Sequence, residues 1–160
     1  MQLWARDIGI QELNDKAKAK TKTKTTLNAA LGIEITSFTA DTLTGRMPVD
    51  EHTIQPAGVL HGGASVALAE TLASWAGSLT GDAARFHVVG QEINANHLRA
   101  GIAGQWVQGT ASPLHVGRKT QVWEIRISNE ADKLVCISRC TLAVLETPGQ
   151  YARAEERTGA

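Results

Sequence analysis

The sequence predicts an α+β domain: an antiparallel, curved sheet wrapped around one long central helix. Three observations carry that expectation. A single segment, His61 to Leu79, is long, rich in Ala and Leu and free of proline. Four strand-like runs follow it, over Phe86–His97, Gly104–Ser112, Val116–Asn129 and Leu134–Glu146. Two more runs precede it. Successive antiparallel strands with one helix form an α+β fold, and a curved sheet is the economical way to bury that helix.

Taken in order, residues 1–15 mix apolar and polar positions. Ile8, Ile10 and Leu13 are candidate anchors, with a short helix from about Ile10. Lys16 to Lys24 places five lysines at alternate positions, a solvated low-complexity stretch that buries nothing. From Leu31 to Thr39 the chain alternates, Leu31, Ile33, Ile35 and Ser37 against Gly32, Glu34, Thr36 and Phe38, and reads as a strand. Asp41-Thr42 turns it into a second strand, Leu43 to Val49. Pro56 and Gly58 mark a loop from Asp50 to Leu60. In the helix, Leu68, Leu72, Trp75 and Leu79 share a stripe while small residues fill the other positions. Gln121, Trp123, Ile125 and Ile127 alternate with polar neighbours, and Glu130 to Lys133 forms a tight turn. The expected organisation is a leader over 1–30, one domain over 31–146 and a polar tail over 147–160.

The 160 residues suit one domain, and 16 basic against 16 acidic side chains give no global field for nucleic acid or membrane. No apolar run approaches the roughly 18 residues of a membrane span. The first residues lack the layout of a signal peptide, so the expected location is the cytoplasm. Cys136 and Cys140, four residues apart on one strand, lie about 13 Å from each other, too far for a disulfide, and read as buried thiols. His52, His61, His87, His97 and His115 show no metal-ligand spacing, and no metal or cofactor is expected.

Two features point to chemistry. Glu70 is the one charge between His61 and Leu79. A carboxylate in such a helix must reach solvent, be paired or serve a function. At the helix start, Gly62-Gly63 leaves backbone amides uncovered at the positive end of the helix dipole, suited to a polarised carbonyl or a developing oxyanion.

The run Gln55-Pro56-Ala57-Gly58-Val59-Leu60-His61-Gly62-Gly63-Ala64-Ser65, followed by Leu68-Ala69-Glu70, resembles the hotdog-fold acyl-CoA thioesterases. Within them it is most similar to the 4-hydroxybenzoyl-CoA thioesterase branch, with its acidic residue inside the helix, and to the 1,4-dihydroxy-2-naphthoyl-CoA enzymes. Val89 to His97 and Pro113 to Gly117 continue the likeness, which runs from about Leu31 to Glu146. The resemblance implies hydrolysis of an acyl-CoA, with an aromatic acyl group, to free acid and coenzyme A. It implies Glu70 as nucleophile or general base. Gln55 would place the thioester or water, His61 and the Gly62 amide would polarise the carbonyl, and Ser74 would assist one turn beyond Glu70. Gly90, His97, Leu98, Arg99 and Ala100, with His115, Val116, Gly117, Arg118, Lys119 and Thr120, match stretches that hold coenzyme A. Other activities on such a fold are a dehydratase acting on acyl-CoA or acyl carrier protein, and a non-catalytic acyl-CoA binding module.

Assembly follows from spacing. Gly62 and Glu70 are eight residues apart, about 12 Å along a helix, whereas both must reach one carbonyl. Two antiparallel helices related by a two-fold axis bring the start of one beside the middle of the other. By resemblance the expected assembly is a homodimer with shared sites, paired again into a homotetramer.

Overall fold

The computed structural model describes residues 3–5, 8–18 and 26–147. Its elements are α1 (Ile10–Lys18), α2 (Leu27–Ala30), β1 (Glu34–Phe38), β2 (Leu43–Pro48), α3 (Gly62–Leu79), β3 (Phe86–His97), β4 (Trp106–Val116), β5 (Thr120–Asn129) and β6 (Leu134–Glu146). All six strands join one antiparallel sheet in the order β1-β2-β4-β5-β6-β3. Leu68, Ala69, Leu72, Ala73, Ala76 and Leu79 of α3 are buried against it. The expected α+β arrangement of sheet and long helix is what the chain adopts.

Binary patterning explains most of the sheet. Gln121, Trp123, Ile125 and Ile127 are buried as the alternation requires, and Cys136 and Cys140 are buried, unpaired thiols. The buried Trp123 indole N–H donates to Gln121 Oε1 at 3.0 Å, and Gln121 Nε2 donates to Thr80 Oγ1 at 2.9 Å, so neither polar group is orphaned.

Three boundaries differ from the sequence reading. The pairing of β1 with β2 shifts register between Ile35 and Ser37. Beyond that irregularity Ser37 is exposed and Phe38 packs on the core, the reverse of a strict alternation. Second, β4 does not stop at Ser112 but runs through Pro113 to Val116, so the turn into β5 lies over 117–119. Proline is tolerated there because β2 pairs with β4 only as far as Ala111, leaving no ladder bond for its missing N–H to break. Third, α2 was not anticipated. Thr26 caps it, accepting from Ala29 N–H at 3.3 Å.

The N-terminal segment packs more than its composition suggests. Trp4, Ile8 and Leu13 belong to the same core as the sheet, with Leu13 fully buried. Trp4 stacks on Trp123 with ring centroids 6.3 Å apart and donates its indole N–H to the Thr39 carbonyl at 2.6 Å. The expected short helix from Ile10 is α1. Asn14 on it receives Ile35 N–H at 2.7 Å and donates to Ile35 O at 2.8 Å, closing the β1 edge as a further strand would. Of the lysine-rich stretch, Lys16 pairs with Glu12 at 2.7 Å on the exposed face of α1, and Lys20 to Lys24 lie outside the described residues.

Candidate active site

The N-terminus of α3 is organised by His61. As N-cap its Nδ1 accepts from Gly63 N–H at 2.8 Å, while its backbone carbonyl takes Ala64 N–H at 3.0 Å. A neutral imidazole accepting at Nδ1 carries its proton on Nε2. The Gly62 N–H has no partner among the described residues, so the first free amide of the helix is Gly62 rather than Gly63. The His97 ring lies against this glycine. A Cβ added at Gly62 would stand 2.8 Å from His97 Nε2. Gln55, Gly62, His97, Leu98, Arg99 and Ala100 surround a common recess of about 390 Å³. Arg99 is tethered in it by a 2.8 Å bond from Nη1 to the Leu134 carbonyl.

Two turns further on, α3 presents a different face. Gly63, Val66, Ala67, Glu70, Thr71, Ser74, Trp75 and Ser78 recur at helical spacing along a groove of about 550 Å³. Glu70 is exposed on this stripe, and Ser74 stands one turn after it. The Glu70 carboxylate lies over Gly90 of β3, where an added Cβ would collide with Oε1. Gly90 borders the register shift that separates it from Glu92. Thus Gly90, matched by resemblance to a coenzyme-binding position, is also the residue whose missing side chain makes room for Glu70.

A third space, of about 1330 Å³, opens at the C-terminal end of α3, and Trp75 and Ser78 border both it and the groove. Val116, Gly117, Arg118 and Lys119 line it. The His115 ring folds back on Gly117, where a Cβ would meet its Nε2 at 2.5 Å, and the Thr120 carbonyl accepts Gly117 N–H at 3.0 Å.

The expected site residues therefore form groups rather than one cluster. Glu70, Ser74 and Gly90 meet in the middle of α3. Gln55, Gly62 and His97 to Ala100 meet at its start, and Val116 to Lys119 at its end. Sequence reasoning missed Leu27, Asn28 and Thr71, which also border the groove. Trp75, which helical spacing groups with Leu68, Leu72 and Leu79, is instead only half-buried and borders the groove. Its lone bulk among small residues was the available signal, whereas Leu27 and Asn28 carried none.

The negative charge in this region is felt beneath the sheet. Burial pushes the Cys140 thiol up to about 12, and the charges of Glu70 and Glu92 add to the rise. Burial also raises Cys136, against the opposing hydrogen bonds of the Ser138 side chain and the Asn96 backbone. Among the described residues no helix is long and apolar enough to cross a membrane.

Comparison with known proteins bears on the family. The family model described as Thioesterase superfamily matches residues 57–136. The chain is 47% identical over 143 residues to the proofreading thioesterase EntH of Cronobacter turicensis, covering 89% of this chain and 98% of that protein. It is 43% identical over 143 residues to the 1,4-dihydroxy-2-naphthoyl-CoA hydrolase of Escherichia coli, covering 89% and 99%. Among solved structures it is similar to a thioesterase from Haemophilus influenzae, with a TM-score of 0.83, 46% identity and coverage of 91% of this chain and 96% of that one.

Proposed function

The chain belongs to the thioesterase superfamily, and from that premise we propose that it hydrolyses an acyl-CoA thioester with an aromatic acyl group, using Glu70 as nucleophile or general base. One observation carries this reading: an exposed carboxylate stands in a groove of otherwise uncharged residues, with its seat kept clear by Gly90.

On the general-base route, Glu70 takes a proton from water as the hydroxyl adds to the thioester carbonyl. On the nucleophilic route, Glu70 adds directly and forms an anhydride that water then opens. In both, the tetrahedral oxyanion collapses with departure of the coenzyme A thiolate, leaving the free acid on the first route and the anhydride on the second, which water opens to the free acid and the Glu70 carboxylate. The Gly62 N–H, aligned with the helix dipole, stabilises that oxyanion. The His61 Nε2–H points to the same duty, because its Nδ1 is engaged in the cap. Gln55 orients the thioester or water, and Ser74 supports Glu70. Arg99, Arg118 and Lys119 supply cations for the coenzyme phosphates.

These groups need a second subunit. Glu70 and Gly62 border different spaces of one chain, and the helix between them is about 12 Å long. β3, twelve residues long, pairs with β6 on one side and has no paired strand on its outer edge among the described residues, in contrast to the β1 edge closed by Asn14. Such an edge invites a second copy. The proposed unit is a homodimer with two shared sites, paired into a tetramer, acting in the cytoplasm.

A thiol-release assay across aromatic and aliphatic acyl-CoAs tests the reaction and the acyl class together. Release from aromatic thioesters at rates above the aliphatic ones is expected, and no release from any thioester overturns the proposal. Co-refolding inactive Glu70→Ala with inactive Gln55→Ala tests the shared site. Random pairing makes half the dimers mixed, each with one intact site, so about a quarter of wild-type activity should return.

A further inference from the structure

The groove around Glu70 is selective only if something in it is large. Its α3 wall is built mainly of small or polar side chains, and two bulky apolar groups stand out among the rest: Trp75 and Leu27. They are held differently. Trp75 is half-buried on the helix that bears Glu70. Leu27 belongs to α2, a helix of four residues, and is 63% exposed.

Among the described residues, one side-chain hydrogen bond joins α2 to α3. The Thr71 hydroxyl donates to Asn28 Oδ1 at 2.9 Å. Thr71 follows Glu70 directly in the chain, so this latch lies beside the attacking carboxylate. The Asn28 carbonyl in turn accepts Ile33 N–H at 2.9 Å, which ties α2 to the start of β1. Leu27 therefore sits on a short helix held by two ties at Asn28, one to Thr71 beside Glu70 and one to the start of β1.

We propose that Leu27 is a specificity-determining residue for the acyl group, and that the Asn28–Thr71 hydrogen bond positions it at the width an acyl group needs. This rests on the reading of Glu70 as the attacking carboxylate. An acyl group whose carbonyl is at Glu70 extends along the groove with Leu27 on one side and Trp75 on another. A flat, rigid acyl group fills that space against both. A flexible aliphatic chain gains less from two fixed walls, because it loses more conformational freedom on binding.

The test is the ratio of kcat/KM for benzoyl-CoA to that for hexanoyl-CoA, measured in wild type, Leu27→Ala, Thr71→Val and Thr71→Ser. Removing the isobutyl group should lower the ratio about ten-fold, the usual scale for a lost apolar contact. The melting temperature should hold within a few degrees, since an exposed side chain supplies little core. Thr71→Val should lower the ratio in the same direction, and Thr71→Ser, which keeps the hydroxyl, should restore it. A ratio unchanged in Leu27→Ala, with wild-type hydrolysis intact, overturns the role of Leu27. A shift in Leu27→Ala that Thr71→Val fails to reproduce overturns the latch. Absence of thiol release by the wild-type protein overturns the underlying function, and this inference with it.

Discussion

The two faces of α3 obey different rules. On one, Leu68, Leu72 and Leu79 are buried with the alanines between them, at 2% exposure or less. On the other, Glu70, Ser74 and the small residues around them face a groove. The same eighteen-residue helix thus serves core and site at once, and the division between them follows the helical repeat. The difference teaches that rigidity and accessibility need not compete when the backbone is anchored on the opposite side.

The contrast can be broken from either face. Leu72→Ala removes a fully buried side chain that also packs against Gly45 and Gly109. It should destabilise the fold by about 2–5 kcal/mol, read from chemical denaturation. Glu70→Ala should do the opposite: kcat falls at least about 100-fold while the denaturation midpoint stays near that of wild type. Near-normal turnover in that variant would remove Glu70 from the chemistry. Gly90→Ala sharpens the comparison from the strand beneath. Its methyl group must displace the Glu70 carboxylate, so a loss of about ten-fold in kcat with a smaller change in KM is expected from misplacement of the attacking group.

The last effect belongs to the buried side. Cys140 keeps its proton in the folded state up to about 12, against an ordinary value of 9.0. Between those values the unfolded chain binds fewer protons than the folded one, so the stability associated with this thiol is present below pH 9 and lost as pH rises toward 12. Cys140→Ala should therefore show a shallower decline of the denaturant midpoint between pH 9 and 11. An equal decline in both proteins would mean that the thiol titrates normally.

How much of this was legible beforehand depended on range. Glu70 was legible because a lone charge within an apolar helix demands an account whatever its surroundings. The alternation of β5 was legible because period two is local. The fate of Pro113 was not, since it depends on where a distant strand, β2, stops pairing. Nor was the tie between α2 and α3, which is a hydrogen bond spanning 43 positions.

By itself, the sequence determined the α+β class, the single long helix, the buried unpaired thiols and Glu70 as the residue to explain, because each follows from composition or a short-range period. Tertiary structure alone decided that Gly90 lies under that carboxylate and that Asn14 closes the β1 edge. It also decided that α2 borders the groove and that Gly62 and Glu70 open into separate spaces. Those are contacts between residues far apart in the chain. They arise from strand register and helix crossing, which no local pattern of side chains encodes.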